Sequence, residues 1–160
     1  MKKAIALLLA LVMVFALCAC GGGGDSAGGD KVVKIGVFEP ASGDSGAGGK
    51  KEMLGMQYAN QETPTVEIGG ETYKVELVYS DNGSDSAKAV SAASKLVNEK
   101  VSLVLGSYGS GVSIAASDTF KQAGIPAIGV TCTNPNVTAG NSHYFRICFL
   151  DPFQGTVLAN

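Results

Sequence analysis

From Lys31 onward the chain alternates short apolar runs with longer amphipathic ones. "VVKIGVF", residues 32–38, is brief and β-branched, the pattern of a buried strand. "GGKKEMLGMQYANQ" has helical character, with Met53, Leu54, Met56, Tyr58 and Ala59 as the expected apolar set. In "VEIGGETYKVELVYSD" the Gly69–Gly70 pair separates two strand-like runs. Val75, Leu77 and Tyr79 alternate there with Glu76 and Val78, which predicts a hairpin leading into a core strand. "GSDSAKAVSAASKLVNEK" places Ala89, Ala92, Ala93, Leu96 and Val97 on one helical stripe, with Ser84 or Asp85 as its cap. "VSLVLG" is a continuous apolar strand of the kind found in parallel sheets covered on both faces. "SGVSIAASDTFKQAG" predicts a helix stopped by Gly124, and "IPAIGV" the next strand. After the polar loop "TCTNPNVTAGNS" comes one more strand, "YFRICF". "DPFQGTVLAN" then opens a helix with Asp151 as cap and Pro152 in the first turn.

Such alternation predicts right-handed crossovers and an α/β fold: an open, mostly parallel sheet with helices on both faces. No internal repeat appears. The sequence stops inside a helix without a terminating signal, so a fragment of a longer chain is expected.

The first thirty residues follow a different rule. "MKK" precedes the apolar run "AIALLLALVMVFAL", a charged n-region and h-region of a secretory signal, too short for a membrane span. It ends in "LCAC", which resembles the lipobox of bacterial lipoproteins, with Leu17, Ala19 and Cys20 in place. That resemblance implies a signal peptide over 1–19 and diacylglycerol on the thiol of Cys20. The alternative is an ordinary signal peptide with incidental cysteines. "GGGGDSAGG", within 20–30, reads as a Gly-rich tether. Cleavage removes Lys2 and Lys3, which leaves ten basic residues against fourteen acidic and moves the net charge from −2 to −4. A mildly acidic chain has no nucleic-acid footprint, and its one membrane contact would be the lipid anchor.

Cysteines change the picture little. Cys132 and Cys148 remain after cleavage, and an exported chain can hold them as a disulfide or as buried thiols. Two cysteines and one histidine do not make a zinc site, and no cofactor is called for.

In an open parallel sheet, ligands bind beyond the carboxyl ends of the strands. The loops there are "EPASGDSGAGGK", "SDNGSD", "GSYGSG" and "TCTNPNVTAG". In "VLGSYGSGVS" Gly106, Gly111 and Ser113 have the spacing of a phosphate-binding P-loop, but Val112 stands where its lysine would be. A helix N-terminus with the Ser110 hydroxyl suits a small anion such as a carboxylate. Ser110 can equally do no more than cap the helix. Thr131 and Thr133 can direct hydroxyls into the same crevice, or serve the turn before Pro135. Tyr108, an aromatic inside a glycine loop, reads as a pocket wall. His143 is read as a surface residue near a strand start, Arg146 as one on a strand's polar face, and Asp44 and Asp81 as solvated or capping. No Cys–His or Ser–His–Asp set assembles without the one histidine.

Taken together, "KIGVFEPASG", "DSAKAVSAASKLVNEKV", "VLGSYGSGVSIAASDTF", "GIPAIGVTCTNPNVT" and "YFRICFLDPFQGTVLAN" resemble the substrate-binding proteins of branched-chain amino-acid ABC transporters, with the type I periplasmic-binding-protein fold. The resemblance runs from Val33 to the last residue. It implies two lobes gripping a ligand, of which 31–150 would be the first and 151–160 the start of the second lobe's first helix. It also implies a non-enzymatic, extracytoplasmic receptor that delivers an amino acid to a transporter permease. Within it Ser110 would hold the ligand carboxylate, Thr133 would contact the head group, and Thr131 would offer a main-chain carbonyl to the ammonium. Tyr108, Gly109 and Cys132 would complete the pocket on this side. The first loop, "SGAGG", lacks the aromatic that some members place against the ligand, and no cysteine stands beside the serine loop for the disulfide that some carry. Against this receptor stand a nucleotide-using enzyme, for which the loop lacks its lysine, and a sensor lobe for an amide or aromatic acid.

Overall fold

The computed structural model describes residues 31–160; the leader, Cys20 and the tether lie outside the described residues. Along the chain run β1 (Val32–Val37), α1 (Gly46–Glu62), β2 (Thr65–Ile68), β3 (Glu71–Tyr79), α2 (Ser86–Asn98), β4 (Leu103–Leu105), α3 (Ser110–Gln122), β5 (Ala127–Gly129), a 3-10 turn (Pro135–Val137), β6 (Tyr144–Arg146) and α4 (Asp151–Ala159). The strands form one sheet in the order β2-β3-β1-β4-β5-β6. Only β2 runs antiparallel, joined to β3 through Gly69 and Gly70 as the hairpin pattern predicts.

Strand order decides which face each helix covers. The step from β1 to β3 moves one way along the sheet and the steps to β4 and β5 move the other. Right-handed crossovers therefore put α1 on one face and α2 and α3 together on the other. The α2/α3 face carries the core. Ala89, Ala92, Ala93 and Leu96 of α2 meet Val112, Ala116 and Phe120 of α3 over Val104 and Ala127 of the sheet. Alanines on the α2 stripe let the two helices lie close. Phe120 is fully buried and meets the Phe38 ring edge-on, with centroids 5.4 Å apart at 84°.

Both helix ends follow their local chemistry. Asp85 caps α2 by accepting the Ala87 N–H at 2.7 Å. After α3, Gly124 has φ +68°, its N–H reaches the Lys121 carbonyl, and the Ile125 N–H reaches that of Phe120. Those two bonds are the Schellman closure, which satisfies carbonyls the helix cannot.

Three expectations need correction. The apolar set assigned to α1 is not buried: Leu54 and Tyr58 are 63% and 64% exposed, and only Gly46 and Gly49 are buried. The five residues spread around the helix instead of forming one stripe, so they cannot all face the sheet. Beside α1 a groove of about 750 Å³ remains, lined by Val33, Ile35, Leu77, Leu103, Leu105 and Met56 among others. The sheet is thus covered on its α1 side, among the described residues, by one helix only. Next, Asp151 lies inside α4 and Leu150 occupies its cap position, with no side-chain cap bond. Finally, "YFRICF" is a strand only over Tyr144–Arg146.

Candidate functional site

The four loops named from the sequence do gather at the carboxyl edge of the sheet, and hydrogen bonds tie them to one another. Asp81, after β3, accepts the N–H groups of Ala41 (2.8 Å) and Gly83 (2.8 Å) and the Ser42 hydroxyl (2.7 Å). Partial burial pushes its carboxyl up, but these donors outweigh it and hold the pKa below the ordinary value. Asp81 is a tie between loops, not a free ligand group. Asn82, fully buried, donates to the Phe38 carbonyl and to the Ser107 hydroxyl.

Around the glycine loop, Gly109 is the cap residue of α3 and Ser110 is the first residue inside it. Ser110 therefore does not cap its own helix. Its oxygen accepts the Asn134 N–H at 3.2 Å, which leaves the hydroxyl hydrogen available to another acceptor. The first-turn N–H groups of α3 lack intrahelical partners and carry the positive end of the helix dipole. Ser113, at the last position of the P-loop spacing, is fully buried and bonds the Gly109 carbonyl and the Ser107 N–H. A side chain so placed cannot reach a phosphate or a metal ion.

Tyr108 lies with its ring against α1 at Gly48, where a Cβ would come within 2.5 Å of the ring, and remains 41% exposed. The ring thus lies between the glycine loop and α1.

The 131–134 loop is less uniform than the sequence implied. Thr133 is half-buried, and its hydroxyl has no bond among the described residues. The Thr131 hydroxyl turns away from that position, donating to Glu52 Oε1 at 2.5 Å and approaching the Tyr108 carbonyl at 3.3 Å. Of the two threonines on this loop, Thr133 is the one with an unengaged hydroxyl among the described residues; Thr131 keeps its main-chain carbonyl. Cys132, expected among the pocket residues, is fully buried, and the Cβ position of Gly129 lies against its Sγ. Its carbonyl is taken by Arg146. Alternation along the extended loop sends it inward when its neighbours point outward. Cys132 and Cys148 are both free thiols, and burial pushes the Cys132 thiol up.

Arg146 is expected on the polar face of a strand. It instead clamps this loop, donating to the carbonyls of Cys132 (3.0 Å), Asn134 (2.8 Å) and Pro135 (3.3 Å) and to the Thr138 hydroxyl (3.1 Å). A fork of donors with fixed geometry suits several carbonyls at once. It also sets a positive charge behind the loop.

Sequence reasoning missed two acidic residues. Glu39, the first residue past Phe38, is 1% exposed and accepts the Tyr108 N–H at 2.7 Å. Burial, then a bond to Glu52 and its charge, push the Glu39 carboxyl up to about 9, against the lowering effect of Tyr108. The one available signal was a glutamate directly following an apolar strand at its ligand end.

The groove beside α1 is lined mostly by apolar side chains of the sheet and of α1. Glu52, Asn60, Thr63 and Thr65 are the polar residues of its lining, and it is the thinly covered sheet face; the candidate site is taken at the loop edge, where ligands of open parallel sheets bind.

Comparison with known proteins gives the family and the fold. The profile of the periplasmic binding protein family matches residues 32–158. "Leu/Ile/Val-binding protein homolog 1" of Brucella abortus is 34% identical over 159 residues, covering 98% of this chain and 40% of the relative. The solved structure of a leucine binding protein, LivK, from Thermotoga maritima superimposes with a TM-score of 0.74 at 38% identity, over 80% of this chain and 36% of that one. That of LivJ, a branched-chain amino acid transporter substrate binding protein from Streptococcus pneumoniae in complex with isoleucine, gives 0.73 at 34% identity, over 81% and 37%. The chain thus spans well under half the length of these relatives.

Proposed function

The chain belongs to the periplasmic binding protein family, and from that premise we propose that it is the first lobe of an extracytoplasmic receptor delivering a branched-chain or related amino acid to an ABC importer. Residues 31–150 form the lobe, and 151–160 begin the next. The observation that carries the reading is one juxtaposition. The N-terminus of α3, with a Ser110 hydroxyl free to donate, is joined by the Asn134 N–H to the loop that carries Thr133. A carboxylate needs such donors and no metal. In this reading the ligand carboxylate sits on Ser110, the Thr131 carbonyl takes the ammonium, Thr133 meets the head group, and Tyr108 and Gly109 line the wall. The work is binding and hand-over to a permease, without catalysis. The exposed apolar side chains of α4, Phe153, Val157 and Leu158, fit a helix that packs against the rest of a longer chain.

The test is a thermal-shift screen of amino acids, amides and aromatic acids on the full-length, two-lobed protein. A ligand at one hundred times its Kd stabilises by about 2.7 kcal/mol. Stabilisation by leucine, isoleucine or valine supports the reading; stabilisation by an aromatic acid or amide alone overturns it in favour of a sensor lobe. In the same protein, Ser110→Ala removes a charge-assisted hydrogen bond of about 1.5–3 kcal/mol, so calorimetric affinity falls roughly 10- to 150-fold. Thr133→Val costs a similar amount. Both losses are equal for leucine, isoleucine and valine, because the contacts reach only shared atoms. A Ser110 loss confined to one amino acid contradicts the assignment.

Anchoring is a second part of the proposal. Cys20 is the acylated residue, holding the receptor at the membrane through lipid. Cys20→Ser then releases the protein into the soluble fraction, read by fractionation in high salt; retention of the variant in the membrane contradicts the anchor.

A further inference from the structure

Two carboxyl oxygens near the crevice are buried without a hydrogen-bond partner, Glu39 Oε1 and Glu52 Oε2. Each belongs to a group whose other oxygen is engaged at a loop of the proposed site. Glu39 Oε2 accepts the Tyr108 N–H at 2.7 Å, and Glu52 Oε1 accepts the Thr131 hydroxyl at 2.5 Å. Both carboxyls converge on Tyr108: Glu39 takes its N–H, and the Thr131 hydroxyl held by Glu52 lies 3.3 Å from its carbonyl, so the two orphan oxygens are left beside one residue. Two ionised carboxylates cannot face one another there without a cation. One proton between them satisfies both orphans at once.

We propose that Glu39 and Glu52 share a single proton and act as positioning residues, a clasp that fixes the 106–110 loop relative to the 131–134 loop without touching a ligand. That these loops bind a ligand rests on the amino-acid reading above; the clasp itself does not. The proton sits on Glu39, which is the more deeply buried, while Glu52 accepts from the Thr131 hydroxyl. Glu39 Oε1 is seated against Gly106, where an added Cβ would lie 2.5 Å from it. The groups facing Glu39 are the Glu52 carboxyl of α1, the Tyr108 N–H of the glycine loop and the Tyr144 phenol of β6. Tyr144 donates to the Gly106 carbonyl at 2.8 Å, and burial raises its phenol above the ordinary range, so it stays neutral alongside. Loss of the shared proton sets two negative charges side by side and pushes the loops apart.

The experiment is a pH titration of the ligand-free chain, followed by NMR of the glutamate side-chain carboxyl carbons and the backbone amides. One glutamate is expected to stay protonated through neutral pH and to titrate near 9, with the Tyr108 amide and the Thr131 methyl moving at the same midpoint. In Glu39→Gln the amide of the new side chain replaces the shared proton, so the Tyr108 and Thr131 signals stay at their neutral positions across the alkaline range. Glu39→Leu, which has neither donor nor acceptor, displaces both signals at every pH. A wild-type protein whose glutamates all titrate in the ordinary acid range overturns the proposal, and that measurement needs no variant. So does a Tyr108 amide that ignores the alkaline step. Because the titration reads the chain without ligand, its failure is distinct from failure of the amino-acid reading, which calorimetry judges alone.

Discussion

Replacing Phe120 by alanine is expected to lower stability by about 3–5 kcal/mol. Phe120 is fully buried on α3 and packs edge-on against Phe38, which follows β1 directly. The substitution forfeits the transfer energy of a ring and leaves a cavity that the alanine-rich α2 stripe cannot fill. The loss is a large share of the 5–15 kcal/mol by which domains of this size are typically stable. Urea unfolding reads it as a lower midpoint with an unchanged slope. Ile114→Ala on the same helix, at a position 38% exposed, serves as the comparison and should cost much less. Equal losses at the two positions would mean that α3 does not seat its Phe120 face on the sheet. The site depends on this seat, because the end of α3 that faces the crevice is held by the packing of the rest.

Gly106→Ala tests the glycine loop itself and should destabilise by roughly 2–5 kcal/mol. Gly106 has φ +113°, where side chains are strained, and an added Cβ would lie 2.4 Å from the Phe38 carbonyl and 2.9 Å from the Glu39 carboxyl carbon. Backbone cannot give way as a side-chain tip can, so the loop must move. Gly124→Ala is the discriminating control. It shares the positive φ, at +68°, but meets nothing within 4 Å, so only the left-handed penalty of about 1–2 kcal/mol remains. Thermal unfolding ranks the two, and the Tyr108 amide shift reports the loop. If Gly106→Ala costs no more than Gly124→Ala and leaves Tyr108 in place, the close seat of Glu39 against the loop is wrong.

Much of the site's location was legible beforehand. The strand–helix alternation placed "GSYGSG" and "TCTNP" at the ligand edge, and Tyr108, Ser110 and Thr133 stand there. The same reading went astray at residues whose roles depend on a distant partner. Thr131 spends its hydroxyl on Glu52, seventy-nine positions away in sequence. Cys132 sits in the core between two residues that face outward. Arg146 serves a loop rather than a strand face, because the register of β6 beside β5 brings its guanidinium beneath the 132–138 carbonyls.

Local patterns along the chain suffice for the order of elements, the Gly69–Gly70 hairpin, the α2 stripe, the α3 stop at Gly124 and the valine in place of a P-loop lysine. Each rests on interactions within a few residues, where periodicity and turn chemistry act directly. The folded sheet set the rest: that α1 shields its face thinly, that Asp81 ties loops together, and that Glu39 is buried against the Tyr108 N–H. Those outcomes depend on which elements the crossovers bring side by side. A carboxylate on a loop looks the same in sequence whether water, a backbone donor or another carboxylate waits across the gap, and only the folded sheet supplies the neighbour that sets its charge.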